Sequence, residues 1–237
     1  MNEKPLCPRC ASSEVIKNGS AKGKPRFKCK RCNFQFTKLE AVPRGYPPET
    51  KARVIELYNH GMSIRAAAKL EGVSRTSALN WIKEFAKKIY KKPAPGAIIL
   101  IELDEMWHYL GSKKNKLWIW KAYRRETGEF IDWECGARDK ETLSRLMNRL
   151  SGWDVELFCT DNWAVYPEVI EEDKLLQTKS QTFYLEQNNG RQRHWYARFR
   201  RKSIVVSKTL EMVDLTMALF ARFHVNRPGE NILSLLN

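Results

Sequence analysis

The run AIILIELDEMW, residues 97–107, constrains this chain more than any other stretch. A continuous apolar segment rich in Ile and Leu suits a central strand covered on both faces. This one runs straight into three acids, Glu102, Asp104 and Glu105. A carboxylate at the end of a buried strand is costly unless it is paired or binds a metal. Asp104 is therefore the first functional candidate. The competing reading is that the acids simply begin a solvated loop, because short apolar runs are ambiguous.

The whole-chain totals narrow the partner. With 42 Lys+Arg against 27 Asp+Glu the formal net charge is +15, and a protein this basic usually meets a polyanion, most often nucleic acid. An anionic membrane is the rival. No stretch approaches the ~18 apolar residues of a membrane span, no helix pairs a basic face with a bulky apolar one, and MNEKPLCPRC has no signal-peptide core. The expectation is a cytoplasmic protein with no membrane partner. At 237 residues the chain has room for one large domain or two to three small ones.

Residues 1–41 read as a zinc ribbon. Cys7-Pro-Arg-Cys10 and Cys29-Lys-Arg-Cys32 are two matched knuckles with 18 residues between them, a spacing that lets four thiolates close a tetrahedral site on one structural zinc ion. A redox role for a single Cys-x-x-Cys is the alternative, and the matched pair argues against it. So short a segment lacks a sufficient core without a metal. Phe27, Phe34 and Phe36 are expected to pack on the ribbon, and the intervening Lys and Arg either touch phosphates or keep the module soluble.

After a Pro-containing linker at 42–48 the pattern turns helical through residue 92. KARVIELYNHG ends at Gly61, Ser63 caps a second Ala-rich helix, Gly72 and Val73 form a turn, and Ser74 caps RTSALNWIKEFAKKI. Helix, Gly-containing turn and helix form the helix-turn-helix unit that reads DNA. Exposed early positions of its last helix, Arg75, Thr76, Ser77 and Asn80, would face bases, with Lys83 nearer the phosphates. A plain three-helix bundle is the alternative. Two prolines around Ala94 then stop any helix.

From 97 to 237 the chain reads as an α/β catalytic domain with a mixed sheet. Strands AIILIELD, LWIWKAYR and EFIDWECG are joined by turns at Gly111–Asn115 and Glu126–Gly128, the amphipathic helix DKETLSRLMNRLS follows, and strand VELFCTD ends in another acid, Asp161. Adjacent strands would thus present Asp104 and Asp161 side by side. Alternation puts Glu102 on the Asp104 face. WAVYPEVI is expected as a helix, and TFYLEQNNGRQRHWYARFRRK as part of a long basic helical region in which Glu186 is the lone acid, sharing a face with Asn189, Gly190 and Arg193. A solvated basic helix with a stray Glu is the competing view. Arg193, Arg198, Arg201 and Lys202 are candidate phosphate contacts. Cys135 and Cys159 read as core, and the apolar stripe of KTLEMVDLTMALFARFH as core or a dimer surface.

In ELDEMW, CTDNWAVY and YLEQNNGRQRHWYARFRRKSIVVSKT the chain resembles the IS1-family insertion-sequence transposases, as does the order ribbon, helix-turn-helix, catalytic domain. The resemblance spans nearly the whole chain. It implies a ribonuclease H-like fold and a DDE triad carried onto Asp104, Asp161 and Glu186, gathering two Mg²⁺ or Mn²⁺ ions. It further implies binding of double-stranded DNA at the element's terminal inverted repeats and at target DNA, followed by strand cleavage and transfer. Pairing of two ends makes a homodimer or higher oligomer on DNA the expected assembly. A catalytically inert DNA-binding regulator and a metal-dependent nuclease that cuts without joining are the rival functions.

Overall fold

Two knuckles and a three-stranded sheet build the amino-terminal unit. The computed structural model describes residues 5–21, 23–37, 45–178 and 182–236, so the end of the expected first domain and residues 42–44 of the linker lie outside the described residues. The chain divides into two compact units, Met1–Tyr46 and Pro47–Asn237. In the first, β1 (Val15–Ala21), β2 (Lys24–Cys29) and β3 (Gln35–Thr37) form an antiparallel sheet in that order. Its buried apolar residues are few: Val15 and Phe27 beside Cys7 and Cys29, with Phe36 packed against them and stacked on Phe27.

The four cysteine sulfurs lie within 4.8 Å of one another. Cys7 and Cys32 Sγ are 3.6 Å apart, Cys10 and Cys29 3.7 Å, and Cys10 and Cys32 3.5 Å. Tetrahedral zinc with Zn–S of about 2.3 Å separates its sulfurs by about 3.8 Å, so the cluster fits that ion. Each knuckle ends in a left-handed residue, Ala11 at φ 55° and Asn33 at φ 59°, whose backbone N–H donates to Cys7 or Cys29. Backbone N–H groups of Cys32 and Arg31 draw the Cys29 thiol down to about 6, favouring the ligating thiolate.

The second unit opens with α1 (Pro48–Asn59), α2 (Ile64–Leu70) and α3 (Arg75–Ile89). Pro48 enters at the first helical position, where its missing N–H is harmless. Ser63 and Ser74 cap as expected, accepting from the N–H of Ala66 at 3.1 Å and Ser77 at 2.9 Å. Five strands follow: β4 (Ala97–Tyr109), β5 (Lys116–Arg124), β6 (Glu129–Gly136), β7 (Asp154–Thr160) and β8 (Leu175–Gln177). Their order is β6-β5-β4-β7-β8. The β4–β5–β6 meander is antiparallel, and β7 and β8 add in parallel. This mixed sheet with helices on both faces is a ribonuclease H-like arrangement.

Alternation along β4 and β5 assigns the two faces. Ile101, Leu103, Trp120 and Ala122 pack under α4 (Lys140–Leu150), with its Leu143, Leu146 and Leu150. Met106, Ile119 and Tyr123 face α5 (Phe183–Trp195), α6 (Leu210–Phe220), α7 (Ile232–Leu236) and the α1–α3 helices in one continuous core. The α6 stripe is core apart from Leu210, which is exposed: Met212, Val213, Leu215, Leu219 and Phe220 are all buried. Cys159 is buried and Cys135 packs against the core, as expected.

Three expectations are corrected. Residues 163–170 form only a 3₁₀ turn at Tyr166–Glu168, because Pro167 removes a donor and so short a segment cannot sustain a helix. The long basic helix stops at Trp195: Tyr196 is extended and buried, and Ala197–Phe199 make a 3₁₀ turn. The first strand runs on to Tyr109, since antiparallel pairing with β5 continues there, so its acids lie within the strand rather than at its end.

Two measurements check this description. Metal analysis is expected to give about one zinc per chain, falling towards none in Cys7→Ser or Cys29→Ser, with proteolysis then opening residues 5–37. The second concerns His108 and His224, both lowered to about 4, chiefly by burial. Unfolding exposes them at an ordinary value near 6.5, so their contribution to stability is complete above pH ~6.5 and is lost as pH falls towards 4. His108→Asn is expected to reduce the slope of stability against pH in that window by up to about 1.4 kcal/mol per pH unit, read by denaturant titration.

Candidate active site

Parallel pairing of β4 and β7 brings the two aspartates level. Ile101 pairs with Phe158 and Glu102 with Cys159. Asp104 and Asp161 each lie two residues beyond that last pair, on strands whose ordinary spacing is about 4.8 Å. β4 continues along β5 while β7 ends at Thr160, so a notch opens at the carboxyl end of the parallel pair, the usual place for a ligand in such sheets. Asp104 is raised to about 6, first by burial and in part by the charge of Asp161, with Lys121 acting in the opposite direction. Asp161 closes an Asx turn, its Oδ1 accepting from the N–H of Trp163 at 3.0 Å.

The neighbouring acids are held by other partners. Glu102 is fully buried; Arg125 donates to it at 2.7 Å and the N–H of Leu185, in the first turn of α5, at 3.0 Å. It anchors a helix and pairs an arginine. Glu105, on the opposite face, accepts from Arg138 Nε at 2.6 Å and the Tyr166 hydroxyl at 3.1 Å. Burial and then the Asp104 charge raise it to about 7.

Helix α5 covers the notch. Its Leu185, Asn188, Asn189 and Gln192 are buried, and Asn189 Nδ2 donates to Asp104 Oδ2 at 2.8 Å. Glu186, three residues before Asn189 and thus on a neighbouring position of the same stripe, is exposed. Among the described residues only the four cysteines bring three or more ligating groups within 4.8 Å of each other; the three acids are not drawn that close. Burial and then Arg201 lower Arg193, while Asp104 acts in the opposite direction. Arg201 and Lys202 are exposed. Arg198 is not a surface group: it is buried, with its guanidinium 5.4 Å over the Tyr58 ring and Nη1 donating to Ser207.

On the helix-turn-helix, Arg75, Thr76 and Asn80 are exposed, and Ser77 is partly covered and shares a hydrogen bond with the capping hydroxyl of Ser74. Lys83 turns away from them to pair with Glu211 of α6 at 2.5 Å. Together with Lys87 it pulls Glu211 down to about 2.

The site residues that sequence reasoning missed are Lys121, its amide partner Gln192, and Arg138; Asn189 was expected on the Glu186 face, but not as the partner of Lys121 and Asp104. A lysine inside LWIWKAYR was the available signal, because a charge in the middle of a buried strand demands an explanation. Chemically, the notch offers the carboxylate oxygens of Asp104 and Asp161, a donor type that suits a hard dication of the Mg²⁺ class. A carboxyl raised chiefly by burial and in lesser part by a second carboxyl is the electrostatic condition such an ion relieves.

Residues 97–226 match the family model described as IS1 transposase, 48–89 a homeodomain-like domain, and 6–33 an InsA N-terminal domain. Insertion element iso-IS1n protein InsB of Shigella dysenteriae is 32% identical over 127 residues, covering 54% of this chain and 97% of that protein. Insertion element IS1 2 protein InsB of Escherichia coli (strain K12) is 34% identical over 123 residues, covering 52% of this chain and 74% of that one. Among solved structures, a simian T-cell lymphotropic virus intasome in complex with PP2A regulatory subunit B56 gamma matches at TM-score 0.35 and 16% identity, over 79% of this chain and 72% of that one, a likeness too low to bear on the fold. The chain belongs to the IS1 transposase family.

Proposed function

We propose that this transposase uses Asp104, Asp161 and Glu186 as a metal-binding triad for DNA strand cleavage and transfer. The observation that supports this reading best is the shared register of Asp104 and Asp161 beyond the last β4–β7 pair, joined to the raised Asp104 carboxyl. Two bound Mg²⁺ or Mn²⁺ ions supply activation of the attacking water or 3′-hydroxyl and stabilisation of the leaving oxygen. The chain's own residues hold and orient. Asp104 on β4 and Asp161, just past the end of β7, would hold the ions, with Glu186 of α5 completing the set. Arg193, which feels the Asp104 charge, and Arg201 neutralise the DNA phosphate that enters there. Lys202 extends the same basic face. Asn189 restrains Asp104. Displacement at phosphorus then frees an element end, whose 3′-hydroxyl attacks target DNA without a covalent protein intermediate.

End recognition belongs to the amino-terminal elements in this reading. Arg75, Thr76, Ser77 and Asn80 on α3 read base edges of the terminal inverted repeats, and the Cys₄ ribbon, closed by one structural zinc, adds contacts to the backbone. Lys83 and Arg198 serve structure instead, the first through Glu211 and the second beneath Tyr58. Holding two ends together calls for a homodimer or higher oligomer on DNA. No helix among the described residues is long and apolar enough to cross a membrane, and DNA is the partner that the +15 charge favours.

Mg²⁺- or Mn²⁺-dependent cleavage of DNA carrying the element's ends tests the triad. Asp104→Asn, Asp161→Asn and Glu186→Gln are each expected to lose at least ~10²-fold in rate while retaining end binding. Retained activity in Glu186→Gln alone would move the third ligand elsewhere. A pre-cut end separates the rival nuclease: joined products support transfer, and cutting without joining under the same conditions counts against it. Arg75→Ala and Asn80→Ala are each expected to cost about 1–3 kcal/mol of preference for end DNA over unrelated DNA in competition binding, whereas Lys83→Ala leaves that preference unchanged.

A further inference from the structure

Lys121 runs against its surroundings. It lies between Trp120 and Ala122 on β5, fully buried, directly across from Asp104 in the antiparallel register. An ammonium only donates hydrogen bonds. Its Nζ donates to Asn189 Oδ1 at 2.6 Å and Gln192 Oε1 at 2.5 Å, with Met106 Sδ at 3.7 Å. Asn189 in turn donates from Nδ2 to Asp104 Oδ2 at 2.8 Å. The amide therefore has one permitted orientation: turned over, it would aim its NH₂ at a cation and its oxygen at a carboxylate.

We propose that Lys121 is a positioning residue for the transfer reaction: it locks the Asn189 amide against Asp104, and so fixes that carboxylate and its relation to the helix that carries Glu186. A second clamp acts on the same helix, where Glu102 accepts from the N–H of Leu185. Glu186 lies between the two clamps, next to Leu185 and three residues before Asn189. Removing Lys121 alone leaves the buried Asn189 and Gln192 oxygens without their donor, so it costs stability whatever the role of the lysine. A partner that orients a ligand carries in addition about 10–100-fold in metal affinity or activity, which a merely structural role would not move. The inference rests on the proposed metal-binding role of Asp104.

The test uses the full-length protein with Lys121→Met, Asn189→Leu and the double variant, and three readouts: thermal stability, Mn²⁺ binding to the protein alone by electron paramagnetic resonance, and cleavage of end DNA as Mn²⁺ is varied. Lys121→Met is expected to melt below the wild-type temperature, because two buried amide oxygens lose their donor, and to bind end DNA as wild type does. Its Mn²⁺ affinity is expected to weaken by about 10–100-fold, with the Mn²⁺ requirement for cleavage rising in parallel. The double variant is expected to be no weaker than Lys121→Met, because both changes break one chain of contacts. Wild-type Mn²⁺ affinity in Lys121→Met would overturn the proposal, and tighter binding would recast Lys121 as a repelling charge, which overturns it equally. If Lys121→Met does not fold, Asn189→Leu decides by the same criterion, since it leaves Lys121 its Gln192 partner. Failure of the underlying site reading looks different: wild type and Asp104→Asn would then bind Mn²⁺ alike.

Discussion

Charge in the middle of the sheet is the constraint on which the catalytic unit depends. Glu102, Asp104, Glu105 and Lys121 all lie on the paired central strands β4 and β5, where desolvation disfavours every ionised group. Each is relieved by a different part of the chain. Arg125 and the first turn of α5 meet Glu102, Arg138 and Tyr166 meet Glu105, and Asn189 and Gln192 meet Lys121. The polar contacts therefore do more than satisfy buried groups. They dictate where α5 and the turn at Tyr166 must sit, and so where the exposed carboxylate of Glu186 stands relative to the aspartates.

The DNA-reading helices are tied to the same framework. The Tyr58 hydroxyl of α1 shares a hydrogen bond of 2.6 Å with Thr216 on α6, and the Tyr196 hydroxyl, just past α5, donates to Asn59 at 2.7 Å. Arg198 fills the space beneath Tyr58. Gly61 ends α1 with φ +96°, and a side chain there would come within 3.2 Å of the Trp195 carbonyl and 3.3 Å of Arg200 Nη2. That glycine is needed both for its left-handed backbone and for the close approach. Lys83 and Lys87 reach Glu211 from α3. Helix-turn-helix and sheet thus share one core and several polar ties, so the recognition helix and the aspartates are parts of one body rather than beads on a linker.

Much of this was legible in the chain itself. Matched Cys-x-x-Cys knuckles determine a metal-closed ribbon because four thiolates at that spacing converge on one ion. Ser63, Gly72 and Ser74 determine the helix boundaries through capping, which is local chemistry. The apolar runs determine the strands, and the acids ending two of them nominate Asp104 and Asp161. Tertiary structure decided what depends on distant partners. The offset of β4 against β7 makes the aspartates level, and no single strand encodes that register. Glu102 and Asp104 share a face and a carboxylate, yet Arg125 and the α5 backbone claim the first while the notch leaves the second level with Asp161. Arg198 and Lys83 look like surface cations in the sequence, but Tyr58 and Glu211 draw them into structural roles. Lys121 is plain in the sequence as an anomaly; only the fold supplies the amides that give it a purpose, because a buried charge is defined by what lies across from it.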